Sequence, residues 1–148
     1  MVKLIEQSIL NGITVKLDNL FPDHPIYSEQ VKQGFSQPAF FVMQLNSGET
    51  PGLNRRSLRS LLYDIHYFPD EESLTVKSDC RIVAEKLYDQ LQYIDTAGGK
   101  VRAFSRRYEV VNDVLHFYLS FNVPLVTQKP EVDKMATIRQ KEGIKIGE

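Results

Sequence analysis

Leu115-His116-Phe117-Tyr118-Leu119-Ser120-Phe121-Asn122-Val123 alternates apolar and polar side chains without a break. Side chains on a strand point to opposite faces in turn. Leu115, Phe117, Leu119, Phe121 and Val123 therefore share one face, and His116, Tyr118, Ser120 and Asn122 share the other. The pattern predicts a strand from Val114 to Val126 with a single buried face. Asn112-Asp113 precedes it, and both residue types tolerate the positive φ of a tight hairpin turn. Val101 to Val111 then reads as the first strand of that hairpin. A sheet buried on one face needs a second layer to cover it.

Two stretches supply that layer. Cys80, Val83, Ala84, Leu87, Leu91 and Ile94 recur at helical spacing, which predicts a helix from about Ser78 to Asp95. Ser78 or Asp79 can cap its start, and Gly98-Gly99 ends it. Residues 2 to about 20 predict an earlier amphipathic helix, with Ile5, Ile9, Ile13 and Leu17 in one stripe widened by Leu10 and Leu20. Gly12 weakens that helix by about 1 kcal/mol relative to Ala. Phe21-Pro22-Asp23-His24-Pro25 stops it.

Between the helices lie further strand signals. Ile26 to Lys32 is a short candidate, and Ala39 to Leu45 is a denser apolar run. Asn46 to Gly52 reads as a turn-rich tip. From Arg55 to Phe68 the chain returns, with Leu61, Tyr63, Ile65 and Tyr67 alternating against Leu62, Asp64 and His66. The segment is a long hairpin with an extended arm. The predicted order is α-β-β-β-α-β-β: an α+β fold with a four- to five-stranded, mainly antiparallel sheet covered on one face by two helices. Residues 1–126 form one domain. From Thr127 to Glu148 the periodicity vanishes, and the segment reads as a mobile tail whose Met135, Ile138, Ile144 and Ile146 can dock on a neighbour.

The chain has 148 residues, of which 42% are apolar and 25% charged, values of an ordinary globular domain. Lys plus Arg number 18 and Asp plus Glu 19, which argues against a general nucleic-acid coat or electrostatic membrane anchoring. Cys80 is the single cysteine, so an internal disulfide and a thiolate zinc site are excluded. It lies on the apolar stripe of the second helix and reads as a core thiol. The charged N-terminus has no signal-peptide core, and no apolar run reaches a bilayer's width. The chain reads as soluble and made in the cytoplasm.

Chemistry-bearing motifs are scarce. HExxH, GxSxG, P-loop and GxGxxG patterns are absent. Asp64 and His66 share a strand face and could reach one ligand, but a solvated or interfacial sheet face is the preferred reading. A small-molecule enzyme using Asp64, His66 and His116 would need a concave pocket lined by them. Asp70-Glu71-Glu72 reads as hydrated carboxylates. No catalytic residue, cofactor or metal is assigned. The informative asymmetry is cationic. Arg55, Arg56 and Arg59 fall in one acid-free window, and Lys100, Arg102, Arg106 and Arg107 in another. Arg102, Phe104, Arg106 and Tyr108 are predicted on one strand face, a basic surface interleaved with aromatics that could hold nucleic acid. Pairing with acids of the same chain or a neighbouring subunit is the preferred alternative.

The order of these elements resembles a known family. Leu20-Phe21-Pro22 closes the first helix. Ile26-Tyr27-Ser28-Glu29-Gln30-Val31-Lys32-Gln33-Gly34 follows, then Gln37-Pro38-Ala39-Phe40-Phe41-Val42. After the arm come Tyr63-Asp64-Ile65-His66-Tyr67-Phe68 and, past the second helix, Val114-Leu115-His116-Phe117. Over about residues 1–126 the chain resembles the phage tail terminators, in the branch of contractile phages and phage-like particles of Gram-positive bacteria. That resemblance implies a structural protein and no enzyme. It implies a homohexameric ring at the neck-proximal end of the virion tail, which caps the tube and the last sheath ring and ends polymerisation. Its implied partners are copies of itself, the tail tube protein, the sheath protein and the neck connector, with DNA passing through the lumen and no membrane. On this reading Arg55, Arg56 and Arg59 project on the arm toward the tube or lumen, while Arg102, Arg106 and Arg107 form a basic strand face. The alternatives are a neck or head-tail connector protein of the same particle, and a single-strand nucleic-acid-binding module.

Overall fold

The computed structural model describes residues 4–28 and 36–127. Helix α1 spans Ile5–Leu20 and buries Ile5, Ile9, Ile13 and Leu17, the stripe that the sequence marks. A two-residue strand β1 (Ile26–Tyr27) leads to the long strands β2 (Ala39–Pro51) and β3 (Arg56–Phe68). Helix α2 (Val76–Gln90) buries Cys80, Val83, Ala84 and Leu87. Four strands follow: β4 (Tyr93–Thr96), β5 (Gly99–Arg102), β6 (Ser105–Val111) and β7 (Val114–Val126).

The main sheet has the order β1-β2-β3-β7-β6. Its only parallel pair among the described residues is β1 with β2; the others are antiparallel. The last strand in sequence thus lies inside the sheet, paired on one side with β3 and on the other with β6. Both helices pack on one face. There Phe40, Val42, Leu61, Tyr63, Ile65, Leu115, Phe117, Leu119 and Phe121 join the helix residues in one buried cluster. The α+β class, the sheet and its helical cover agree with the sequence reading. So does the hairpin at Asn112-Asp113, where φ is 53° and 63°, the paired left-handed values of a two-residue primed turn.

Three boundaries differ, each for an identifiable reason. The second helix ends at Gln90, and Tyr93–Thr96 is a strand. Leu91 and Ile94 are both fully buried, so they prolong the helical spacing although the backbone has left the helix. Gly98-Gly99 consequently turns the β4–β5 hairpin, with Gly99 at φ 115°, and does not stop a helix. Val101 to Val111 is two strands. Ala103 N–H donates to Gln92 O and Phe104 N–H to Ser120 O, so the chain changes partners there and crosses from the small sheet to the large one. Finally, the turn-rich stretch after Leu45 is strand as far as Pro51, pairing with Ser57–Leu62. Ladder hydrogen bonds need no apolar side chains, and Pro51 is tolerated at a strand end. Of the short candidate strand from Ile26, the portion from Glu29 lies outside the described residues.

Helix α1 is held from both sides. Beneath it lies the sheet; beside it runs β4, so close that a Cβ on Gly12 would stand 2.3 Å from Asp95 O and 2.6 Å from Ile94 Cγ2. Ala97 N–H donates to Ser8 Oγ at 2.9 Å across the same seam. Gly12 is therefore required by packing, which offsets its weak helix propensity.

Candidate functional site

The arm is the outer half of the β2–β3 hairpin. From Leu45 to Leu53 every residue is exposed, and Leu53 at the tip is 84% exposed. The strands turn through residues 52–55, with Asn54 and Arg55 at φ 57° and 60°. Gly52 N–H closes the turn on Arg56 O at 2.7 Å. The end of β7 runs alongside, pairing Arg56 with Val126 and Leu58 with Pro124. Leu45, Leu53, Leu58 and Val126 remain exposed there. The arm thus offers cations and scattered aliphatic side chains together.

At the root of the arm sits Glu6, in the first turn of α1, where a carboxylate also complements the helix dipole. Its Oε1 accepts from Gln44 Nε2 at 2.7 Å, and its Oε2 accepts from Ser47 Oγ and Arg59 Nη1, both at 2.9 Å. Its backbone carbonyl accepts the Tyr63 hydroxyl at 2.8 Å. These donors, Gln44 foremost, hold the Glu6 carboxyl below its ordinary range. A β-bulge between Gln44 and Asn46 inserts Leu45, so that Gln44 and Ser47 both turn toward the helix side.

The three arm arginines consequently separate. Arg59 is engaged within the chain, donating to Glu49 Oε1 through Nε and Nη2 at 2.8 and 2.6 Å, and to Glu6. Arg55 Nε reaches Thr127 O at 3.3 Å, and Arg56 is exposed at the start of β3. Sequence reasoning missed the Glu6 pairing, since its partners are 38 to 53 residues away.

Arg102, Arg106 and Arg107 do not form one face. Arg102 ends β5 opposite Tyr93 in the small sheet. Arg106 lies on the helix side, donating to Tyr88 O with its guanidinium over the Tyr88 ring. Arg107 points the other way, 4.3 Å from the Tyr118 ring centroid. Phe104 is 70% exposed at the crossing between the sheets. The broken strand explains the difference, because alternation holds only within one continuous strand. Met135, Ile138, Ile144 and Ile146 lie outside the described residues, as does the rest of the segment beyond Thr127.

On the sheet face away from the helices, Asp64, His66, His116 and Tyr118 adjoin. His66 pairs directly with His116, and Asp64 with Tyr118. Asp64 Oδ2 lies 2.7 Å from His66 Nε2 and 3.2 Å from His116 Nδ1. Tyr118 donates to Glu109 at 2.9 Å. Cys80, by contrast, is fully buried among apolar side chains, and burial pushes its thiol pKa up. It is a core residue.

The family model described as phage tail terminator protein matches residues 8–133, most of the chain. The chain belongs to the phage tail terminator family. It is accordingly a structural component of a bacteriophage tail, of a family without enzymatic activity, and meets other tail components. No curated protein matches it. One solved structure aligns over 86% of this chain and 96% of its own at 14% identity with a TM-score of 0.40, too loose a superposition to carry an argument. Among the described residues no helix is long and apolar enough to cross a membrane.

Proposed function

We propose that this terminator assembles as a homohexameric ring on the neck-proximal end of the tail tube, ends tube and sheath polymerisation, and presents its other face to the neck. The family match over residues 8–133 carries the reading. A closed ring requires heterologous contacts between identical subunits. The long hairpin arm, with its exposed Leu53 and its cations, supplies a projecting element for such contacts or for the tube. In this assembly Arg55 and Arg56 face acidic groups of the tube or DNA in the lumen, while Arg59 braces the arm against α1 through Glu6 and Glu49. Arg102, Arg106 and Arg107 are distributed over separate surfaces and act singly. Residues 127–148, with Met135, Ile138, Ile144 and Ile146, dock on an adjoining subunit. The particle is a contractile phage or phage-like particle of a Gram-positive host.

Electron microscopy of the purified protein, alone and with polymerising tube subunits, tests the reading. Six-fold rings at one end of each tube and arrested tube growth support it. Protein that binds head components while tubes keep elongating overturns it in favour of a connector.

A further inference from the structure

The outer sheet face joins two imidazoles and a carboxylate from two hairpins. His66 and Asp64 are two residues apart on β3, and His116 lies directly across the ladder on β7. One ligand atom from each falls within 4.8 Å of the others. Asp64 is 3% exposed, an unusual place for a carboxylate. Its Oδ2 meets both rings, but its Oδ1 is buried with no hydrogen-bond partner among the described residues. A buried carboxylate oxygen without a donor is costly, and a cation held by both carboxylate oxygens relieves that cost. The two imidazole side chains stay 18% and 21% exposed, so an ion can arrive from solvent above the carboxylate.

We propose that Asp64, His66 and His116 form a binding site for a divalent first-row transition ion. Two imidazoles and one carboxylate are the donor set that suits zinc, iron, cobalt or nickel, whereas calcium and magnesium prefer oxygen alone. Bonds of about 2.1 Å put neighbouring donor atoms about 3.0–3.4 Å apart in tetrahedral or octahedral geometry. The observed N···O separations of 2.7 and 3.2 Å are near that, and the rings must turn so that their lone pairs converge and the two nitrogens, now within 4.8 Å, draw together. Both contacting nitrogens face the Asp64 carboxylate, and each must present its lone pair to bind an ion. On binding, His66 Nε2 and His116 Nδ1 become donors to the metal. The strand ladder fixes all three Cα positions, which leaves the side-chain rotations as the only rearrangement. The proposal stands apart from the ring reading, since it concerns the isolated subunit.

Titrating metal-free protein with Co²⁺, followed by ligand-field absorption and competed with Zn²⁺, tests it. One equivalent should bind with a dissociation constant of about 10 µM or tighter. His66→Gln and His116→Gln should each weaken binding by about 100-fold or more, beyond the cost of losing an outer-sphere partner. His24→Gln, at the histidine packed near Phe21 and Phe40, should leave it unchanged. Circular dichroism of the variants verifies that they fold, and both histidine positions are partly exposed, so their replacement is compatible with folding. Binding weaker than about 10 µM, or binding that survives both substitutions, overturns the site.

Discussion

Replacing Gly12 by Ala sets two effects of known sign against each other. Helix propensity favours Ala by about 0.8–1.0 kcal/mol in a helix interior. Against this, the new Cβ would sit 2.3 Å from Asp95 O, more than 1 Å inside ordinary contact, and 2.6 Å from Ile94 Cγ2. The carbonyl is backbone, and Ile94 is fully buried, so no exposed side chain can swing aside. Helix α1 and strand β4 must move apart by about an ångström. Overpacking of that kind costs about 1–3 kcal/mol. The Ala97–Ser8 hydrogen bond, 2.9 Å long, is stretched along with it. Its loss adds about 0.5–1.5 kcal/mol. With the propensity gain subtracted, Gly12→Ala should be destabilised by about 0.5–3.5 kcal/mol net. For a chain of this size each kcal/mol lowers Tm by about 2–4 °C, so a fall of about 1–14 °C is expected in thermal unfolding. Val15→Ala, at a position 59% exposed on the same helix, should change stability by less than about 0.5 kcal/mol. A Gly12→Ala protein as stable as wild type, or more so, refutes the close packing of α1 on β4.

Three further outcomes follow from the arm and the hairpins. The Glu6 carboxyl is depressed in the folded state, so its contribution is present above its unfolded value near 4.5 and disappears as pH falls through the lower folded value. Glu6→Gln should therefore be less stable than wild type at neutral pH, with the gap closing on acidification; a gap independent of pH contradicts the ion pair with Arg59. Asp113→Gly removes a non-glycine residue at φ 63° and should stabilise by up to about 1 kcal/mol in denaturant unfolding, whereas a loss contradicts the primed turn. Arg55→Asn combined with Arg56→Gln keeps a residue that tolerates positive φ and should leave folding intact while giving tails of uncontrolled length. Tails of normal length would sink the role proposed for these cations.

The sequence made the sheet and its helical cover legible because burial on one face imposes strict periods. Ile5, Ile9, Ile13 and Leu17 follow the helix, and the odd positions of β7 follow the strand. Elements lacking such a face were obscure. The arm strands beyond Leu45 are paired but exposed, so only turn-forming residues were visible there. Leu91 and Ile94 sit at helical spacing while belonging to a cap and a strand, and spacing alone cannot separate those cases. The site was legible only in part. Asp64 and His66 share a strand, and alternation places them together; His116 joins them through a register set by the β3–β7 ladder. Glu6 carries no local signal at all, because its meaning depends on Gln44, Ser47 and Arg59 arriving from another layer.

The placement of β7 inside the sheet bears on how the chain is made. While ribosomes are still reading the first 113 residues, β3 has its β2 partner and no strand on its other side. A nascent or prematurely released chain would expose that long ladder edge with Leu61, Tyr63 and Ile65 beside it, a template for unwanted strand pairing. The edge is closed only when Val114–Val126 emerges, so commitment to the native sheet waits for the last strand. The chain then gains its rigid form late, after nearly the whole of its described β-structure has been synthesised.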